Sequence, residues 1–500
     1  MSAPRIVAHR GRHDEGRLRE NTIAAIRAAA ERGAGAIEID VRLTADGEVV
    51  LLHDTTLERL WGDPRPVSEM TWTQLRSVGG GDMRIPSLAE ALAVAAECGA
   101  ELVIDMDHAA PARPAARMVR DAGAQARTEW CGATDAMLTV REELPDAVIH
   151  QEWHTPDAPD GAALAALRPA YVNAQHLLVG ARFVDAVHAL GARVACWTVD
   201  DPAQAAHLIG LGVDSITTND LDAVVGASPD AASRCRHVVH EVAAGAAEIL
   251  ARARTDGIGE VMTKTSPADH VTDVDRAVER WVRGIIGAQF PDHDVVGEEY
   301  GGSSDGSAPC WYLDPVDGTA NLANGVPWTS FSLALVIDGE PVVGAILDPV
   351  GARPIVAMRG AGAWRDGERL SAPTSSGDAI AGRIVTTELA GADPWRGFTE
   401  TLGALAARHC TVRVPGSGTA SLAGPALGRG AAAVVHRYSA IDHAASVLIV
   451  RESGGAVSLR PDGIVITAVD ARTAAAVEEI VVRARAGQPT STASAASRIV

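Results

Sequence analysis

Lysine is nearly absent from the 500-residue chain, basic residues fall short of acidic ones by 20 charges, and no long apolar run occurs. A net charge of −20 leaves no basic face for a phosphate backbone, which excludes wholesale nucleic-acid or anionic-membrane binding. Small phosphorylated substrates stay admissible, because bound divalent metals reverse the sign locally. No stretch approaches the ~18 apolar residues of a membrane span. Met1-Ser2-Ala3-Pro4-Arg5 runs straight toward a strand without an apolar signal core. The six cysteines (98, 131, 196, 235, 310 and 410) are scattered, with no C-x-x-C spacing, so structural zinc is not expected and reduced thiols in a cytoplasm are. There is no internal repeat. What remains is a chain that is 47% hydrophobic, ordinary for a globular protein and long enough for two or more domains.

Through residue 224, short β-branched runs alternate with Ala-rich helical stretches. Strands are predicted at 5–8, 36–41, 48–52, 101–106, 127–131, 147–151, 170–173, 193–198 and 213–217. This alternation fits an α/β barrel or a doubly wound sheet. Nine strands are one too many for eight barrel places. Moreover, 42–47 is too short for a crossover between parallel strands, which takes about a dozen residues. An irregularity is expected there. Residues 227–235 read as a linker between domains at 1–226 and 236–486, and 487–500 as a disordered tail. The second domain is expected to open with helices near 236–254 and 271–288. Strands near 311–314, 330–337, 342–347 and 354–358 follow, giving mixed layers of helix and sheet.

The first half places reactive side chains at strand ends. Strand 5–8 leads into His9-Arg10-Gly11, strand 48–52 into His53-Asp54, and strand 101–106 offers Asp105. Strand 36–41 puts Ile37, Ile39 and Val41 on one face and Glu38 and Asp40 on the other. Two carboxylates on one face repel unless a cation or water sits between them. Singly, these residues also fit a turn, a half-exposed edge strand or a helix cap. In a barrel, however, C-terminal strand ends converge on one mouth, where the set makes a metal-assisted phosphoryl site. With Glu20-Asn21-Thr22, Thr44-Ala45-Asp46-Gly47, Ile85-Pro86-Ser87-Leu88 and Trp197-Thr198-Val199, residues 4–226 resemble the glycerophosphodiester phosphodiesterase family. The resemblance implies a TIM-type (β/α)8 barrel and one divalent cation, Mg²⁺ or Ca²⁺, on Glu38, Asp40 and Asp105. It further implies His9 and His53 as general acid and base and Arg10 as the phosphate ligand. Three positions depart from the family pattern: Asp107 stands for a lysine, Asp200 for an Asn and Asn219 for an Asp. Asp107 removes a cation and adds an anion beside phosphate, an electrostatic loss of several kcal/mol at a dry site.

In the second half, an apolar strand ends in Trp311-Tyr312-Leu313-Asp314-Pro315-Val316-Asp317-Gly318-Thr319, shortly after Glu298-Glu299. Asp-Pro-x-Asp-Gly-Thr alone could be a turn. Carboxylate-rich, histidine-free clusters suit hard cations such as Mg²⁺, and a helix opening at Gly318-Thr319 offers N–H groups to phosphate. Further segments make residues 236–482 resemble the inositol monophosphatase family: Lys264, 269–275, Phe290-Pro291-Asp292-His293, Gly297-Glu298-Glu299, Asn321, Gly325-Val326-Pro327, Gly416-Ser417, Gly428-Arg429 and Ile441-Asp442-His443-Ala444-Ala445. The resemblance implies a layered α/β sandwich. It also implies two or three Mg²⁺ ions on Glu298, Asp314, Asp317, Asp442 and the Val316 carbonyl, and lithium sensitivity. Glu298 and Thr319 would orient the attacking water, while Gly318 and Thr319 hold phosphate. Ala320, Ser421, Ile441 and Ser446 depart from the pattern, and Ser421 bears on substrate identity.

The chain thus reads as a bifunctional, metal-dependent phosphoesterase. The barrel would cleave glycerophosphodiesters such as glycerophosphoinositol, and the second half a phosphomonoester such as inositol or glycerol phosphate. Two alternatives stand beside this. The barrel could be a non-catalytic binding or regulatory module, or the phosphatase could take histidinol phosphate, a sugar bisphosphate or a 3′-phosphonucleotide. Expected partners are small phosphorylated molecules, with no nucleic acid and no membrane insertion; a homodimer is left open.

Overall fold

In a computed structural model of the chain, the described residues are 4–14, 17–225, 231–263, 270–373, 377–389 and 394–487. Lys264 and Asp269, 227–230 of the expected linker, and 488–500 of the expected tail lie outside them. The chain divides into two compact units, Met1–Arg234 and Cys235–Val500. Residues 231–235, read above as linker, belong to the helix Ala231–Asp256, whose Ala-rich start has strong helix propensity.

The first unit is a closed barrel of eight parallel strands. They are Arg5–Ala8, Ala36–Leu43, Leu102–Met106, Thr128–Gly132, Val148–Trp153, Tyr171–Gln175, Arg193–Trp197 and Ser215–Thr218, and the last pairs with the first. Closure excludes the doubly wound sheet. The surplus strand is Val49–Leu51. It runs antiparallel to Ala36–Leu43 (Val41 opposite Leu51, Leu43 opposite Val49), forming a hairpin rather than a ninth stave. A hairpin is what the five-residue connection 44–48 permits where a crossover cannot form. Ile37, Ile39 and Val41 point outward into one apolar cluster with Ile26 of helix Ile23–Glu31 and Leu88 and Leu92 of helix Leu88–Cys98. By alternation, Glu38, Asp40 and Arg42 point into the barrel. The Ser87 segment is a helix start: the Ser87 hydroxyl accepts from the Glu90 N–H while the Glu90 carboxylate accepts from the Ser87 N–H, a capping box.

The second unit stacks five layers. Helix Ala231–Asp256 lies on helix Asp273–Gln289, with Gly245 against the Trp281 ring. The latter helix packs on a seven-stranded sheet running from Asp294–Gly297 through Cys310–Asp317, Ser330–Ile337, Glu340–Leu347 and Pro354–Met358 to two short edge strands. Behind it, helices Gly418–Ala423 and Ala440–Glu452 fill the space before a five-stranded sheet. Leu448 and Ile449 pack on Ile346 and Ile355, and Leu422 and Val447 on Val435 and Val465. Helices Phe398–Ala407 and Ala471–Arg485 cover the far face through Leu405, Val477 and Val481. Among the described residues, no helix is long and apolar enough to cross a membrane.

Candidate active sites

The barrel mouth collects the residues that the sequence singled out. After Ala8, the chain turns through Arg10 (φ +58°) and Gly11 (φ +78°), and a Cβ on Gly11 would lie 2.8 Å from Ala25. Only glycine fits there. The turn aims the Arg10 N–H at Glu38 Oε2 (2.8 Å) and brings its guanidinium Nε to 3.2 Å from Asp40 Oδ2. Glu38, Asp40 and Asp105 each place an oxygen within 4.8 Å of the others. Burial, then Asp40 and Asp105, push the Glu38 carboxyl well above the usual range. Burial, then Asp40 and Glu152, push Asp105 up to about 7. Glu38 Oε1 is buried with no hydrogen-bond partner. This crowding of like charges wants a cation, and three carboxylates suit a hard one.

The histidines flank this triad. His9 Nδ1 lies 2.7 Å from Asn219 Oδ1, and its Nε2 lies 3.9 Å from Glu38 Oε2. Asn219 donates through Nδ2 to Asp200 Oδ2 (2.8 Å) and through its backbone N–H to Asp200 Oδ1 (2.7 Å). The amide is therefore oriented with its oxygen toward His9, so Nδ1 carries the ring proton and Nε2 faces the triad as an acceptor. Two of the departures noted above are thus one reciprocal exchange: Asp200 and Asn219 form a single hydrogen-bonded pair. Burial, then Arg10, lower the His9 pKa and keep the ring neutral. His53, 46% exposed at the rim, has Nδ1 2.7 Å from Asp54 Oδ1. Asp54 is held down at about 2, chiefly by the Arg59 hydrogen bond. Arg59 also binds Glu20 (2.6 Å), which binds Arg10 (3.0 Å), so one chain of ion pairs runs from Asp54, the support of His53, to Arg10 beside the triad.

Asp107 does not leave the mouth short of a cation. Arg42, inward-facing on the same strand as Glu38 and Asp40, donates to Asp107 Oδ2 (2.7 Å) and to the His53 carbonyl (2.7 Å). Asp40, Arg42, His53, Asp105, Asp107 and Glu152 line one cavity of about 230 Å³. Asp107 is 56% exposed and Arg42 only 10%. An ion pair with one partner in water is worth only ~0.2–1 kcal/mol, whereas hydrogen bonds to charged groups are worth about 1.5–3 kcal/mol. Giving up the Asp107 ion pair therefore costs little, while the His53 carbonyl holds the Arg42 guanidinium at the mouth.

In the second unit, Glu298, Asp314, Val316, Asp317, Gly318, Thr319 and Asp442 line one cavity of about 230 Å³. Side chains three apart on a regular strand face opposite ways. Here Asp314 pairs with Ser332 and Asp317 with Ser330, so Pro315 and Val316 oppose a single residue. This β-bulge turns both carboxylates to one side, and Pro315, lacking an N–H, is tolerated in it. Gly318 (φ +92°) follows. A Cβ there would lie 2.9 Å from the Trp328 carbonyl and 3.0 Å from that of Gly416. The helix it caps, Thr319–Ala323, is only five residues long, so the local N–H groups matter more than any macrodipole.

Asp314 is pushed well above the carboxylate range by burial and by Glu298, Asp317 and Asp442, and it shares a side-chain hydrogen bond with Glu298. Asp317 is raised by burial and drawn back by Thr419 N–H (2.5 Å) and Ser417 Oγ–H (2.8 Å). Among the described residues, only the barrel triad draws three oxygens within 4.8 Å; the second set stands wider around its cavity. The Thr319 hydroxyl lies 2.9 Å from both Asp275 Oδ1 and the Val316 carbonyl. Asp275, fully buried, also accepts from the Thr272 N–H (2.8 Å). Glu279, buried on the next turn of the same helix, accepts from the Glu299 and Tyr300 N–H groups and braces the Glu298 loop. Ser421 is buried and donates to Glu388, whose carboxyl burial raises to about 7. It does not line the cavity, so this departure acts behind the site.

Residues 232–495 match the inositol monophosphatase family, and residues 9–223 match the glycerophosphoryl diester phosphodiesterase family. The chain belongs to the inositol monophosphatase family, fused behind a glycerophosphodiester phosphodiesterase domain. It is 33% identical over 201 residues to Nus factor SuhB of Pseudomonas aeruginosa, covering 38% of this chain and 72% of the relative. It is 35% identical over 193 residues to inositol-1-monophosphatase ImpA of Mycolicibacterium smegmatis, covering 38% and 70% respectively. A solved glycerophosphodiester phosphodiesterase from Parabacteroides distasonis aligns over 43% of this chain and 93% of its own, at 26% identity and a TM-score of 0.37. Both families are phosphoric ester hydrolases, so the chain is a two-domain phosphoesterase. The inositol monophosphatase family is Mg²⁺-dependent, and glycerophosphodiester phosphodiesterase domains use divalent cations. The residues present fit such ions: both donor sets are carboxylate oxygen, and each holds a carboxyl driven up by burial and then by its like-charged neighbours.

The sequence reading missed Arg42, the Asp200–Asn219 pair, Glu152, Asp275 and Glu279. Arg42 and Glu152 had a usable signal, each two residues from an inward-facing position on a barrel strand. Asp275 and Glu279 had only helical spacing.

Proposed function

We propose that the barrel hydrolyses glycerophosphodiesters and that the second unit hydrolyses a phosphomonoester such as inositol or glycerol phosphate. Glu38, Asp40 and Asp105 would hold one Mg²⁺ or Ca²⁺, and Glu298, Asp314, Asp317, Asp442 and the Val316 carbonyl two or three Mg²⁺. Bound there, such ions supply Lewis acidity toward phosphoryl oxygen and charge neutralisation. The chain's own residues do the rest. His9, half-buried and neutral with its Nε2 toward the triad, takes a proton as general base. His53, oriented by Asp54 at the rim where an alcohol departs, returns one as general acid. Arg10 and Arg42 hold phosphate oxygens. In the second unit, Thr319 and Glu298 orient the attacking water, and Asp275 fixes the Thr319 hydroxyl.

What supports this reading is the pair of cavities that each gather three or more carboxylates, one of them beside two oriented histidines. Diester cleavage yields a monoester, so one chain would perform consecutive steps, with glycerophosphoinositol as the starting material. The reading of the barrel as a non-catalytic module leaned on Asp107; the Arg42 beside it, a cation at the same mouth, supports the catalytic reading instead. The test is product release from a panel of glycerophosphodiesters and phosphomonoesters by the intact chain in Mg²⁺. Failure on every member of one class would withdraw that half of the proposal. Arg42→Met should lower kcat/KM for diesters by roughly tenfold or more, since a charge-assisted phosphate contact is worth about 1.5–3 kcal/mol. Steady-state kinetics giving an unchanged value would return the cation's role to Arg10 alone.

A further inference from the structure

Asp317 is set by residues from a distant part of the chain. The Ser417 Oγ–H (2.8 Å) and the Thr419 N–H (2.5 Å) both donate to its Oδ2. Ser417 is also the N-cap of helix Gly418–Ala423, its Oγ accepting from the Ala420 N–H, so the hydroxyl is used in both directions. The Thr419 hydroxyl donates to the Asp442 carbonyl (2.7 Å). Segment 416–419 therefore fastens two of the acids that line the phosphatase cavity.

The segment is held in turn from behind. Glu388, just past strand Ile384–Thr387, accepts the Gly416 N–H at Oε2 (2.9 Å) and the Ser421 hydroxyl at Oε1. Ser446, on helix Ala440–Glu452, donates to the Thr419 carbonyl (2.9 Å). Glu388 is 9% exposed and both serines are buried, so a bond lost here is not replaced by one to water. Gly416 leaves the segment little slack. It runs at φ +82°, and a Cβ there would lie 3.0 Å from the Asn321 amide, whose Nδ2 donates to the Pro415 carbonyl (2.9 Å). Ser421 and Ser446 both stand at positions that depart from the family pattern, and both hydroxyls serve this one segment.

We infer that Glu388, Ser421 and Ser446 are positioning residues of the phosphatase: they lock 416–419 so that Asp317 and Asp442 stand ready for a cation. This rests on the phosphomonoesterase reading above and adds what sets its cation affinity. None of the three lines the cavity, so their effect passes through Asp317 and Asp442 and not through the substrate. Residues that orient metal ligands in this way typically change metal affinity by roughly 10–100-fold.

The experiment titrates the full chain with Mg²⁺ and follows two readouts: phosphate release from glycerol phosphate and inositol phosphate, and the rise in Tm. Glu388→Gln should raise the Mg²⁺ concentration for half-maximal activity roughly tenfold and keep KM at saturating Mg²⁺ within about threefold. The Tm rise should move to higher Mg²⁺ by the same factor. Ser421→Ala and Ser446→Ala should each shift both midpoints about threefold, as loss of one hydrogen bond does. These two change no charge, so their shift can come only from position. Glu388→Gln and Ser421→Ala combined should shift the midpoints by less than the product of the single effects, because they break the same bond. A shift confined to Glu388→Gln would be a charge effect and overturns the lock. So would unchanged midpoints in every variant, or a raised KM at saturating Mg²⁺, which would put Glu388 on the substrate. A wild type inert toward both monoesters withdraws the substrate reading, and the Tm midpoints still decide the lock.

Discussion

Asp317→Asn should reduce phosphomonoester hydrolysis by at least about a hundredfold while diester cleavage by the same chain stays within about twofold. Changing residues that merely support a metal ligand typically costs 10–100-fold, and Asp317 is proposed as a ligand itself. The substitution preserves shape. Its remaining oxygen can still accept from Ser417 and the Thr419 N–H, which hold the native carboxylate at 2.8 and 2.5 Å. What is lost is charge. Asp317 is a half-buried carboxylate raised by desolvation, and it stands among the acids that push Asp314 up. Without metal, the variant should unfold no earlier than wild type, since a like charge has been removed from a crowded site. With Mg²⁺, the rise in Tm should shrink, because ligand-linked stabilisation follows affinity. A variant that lost activity but kept the full Mg²⁺-dependent rise would show Asp317 acting on something other than the cation.

His53→Ala should leave monoester hydrolysis untouched and lower diester cleavage by roughly 10²–10⁴-fold, the usual contribution of a positioned acid or base. His53 is separate from the Glu38, Asp40 and Asp105 cluster, so cation binding at the barrel should survive. Its effect should also depend on the substrate: a diester with a good leaving group such as nitrophenol needs less proton donation and should suffer much less. Equal losses on nitrophenyl and alkyl diesters would place His53 in binding rather than in acid catalysis.

The sequence carried much of this wherever chemistry and period coincide. Alternation along 36–41 separated Ile37, Ile39 and Val41 from Glu38 and Asp40, and the fold keeps that division. The short 42–47 connection already excluded a ninth parallel strand, and Val49–Leu51 forms a hairpin instead. Charge compensation across strands was not legible. Asp107 looked like a lost cation because its partner, Arg42, lies 65 residues away on the adjacent strand. Asp200 and Asn219 looked like two defects, although together they set the tautomer of His9. The β-bulge that brings Asp314 and Asp317 to one side was hidden for a similar reason. A spacing of three on a strand argues for opposite faces, and only the register with Ser330 and Ser332 shows otherwise.

The central claim, two phosphoester sites acting in sequence in one chain, is tested most directly by phosphorus NMR of glycerophosphoinositol incubated with wild type, Asp317→Asn and His53→Ala in Mg²⁺. Wild type should convert the diester signal to inorganic phosphate, Asp317→Asn should accumulate a phosphomonoester, and His53→Ala should leave the diester standing. A wild type that stops at the monoester, or an Asp317→Asn variant that still releases phosphate at the wild-type rate, would contradict the account.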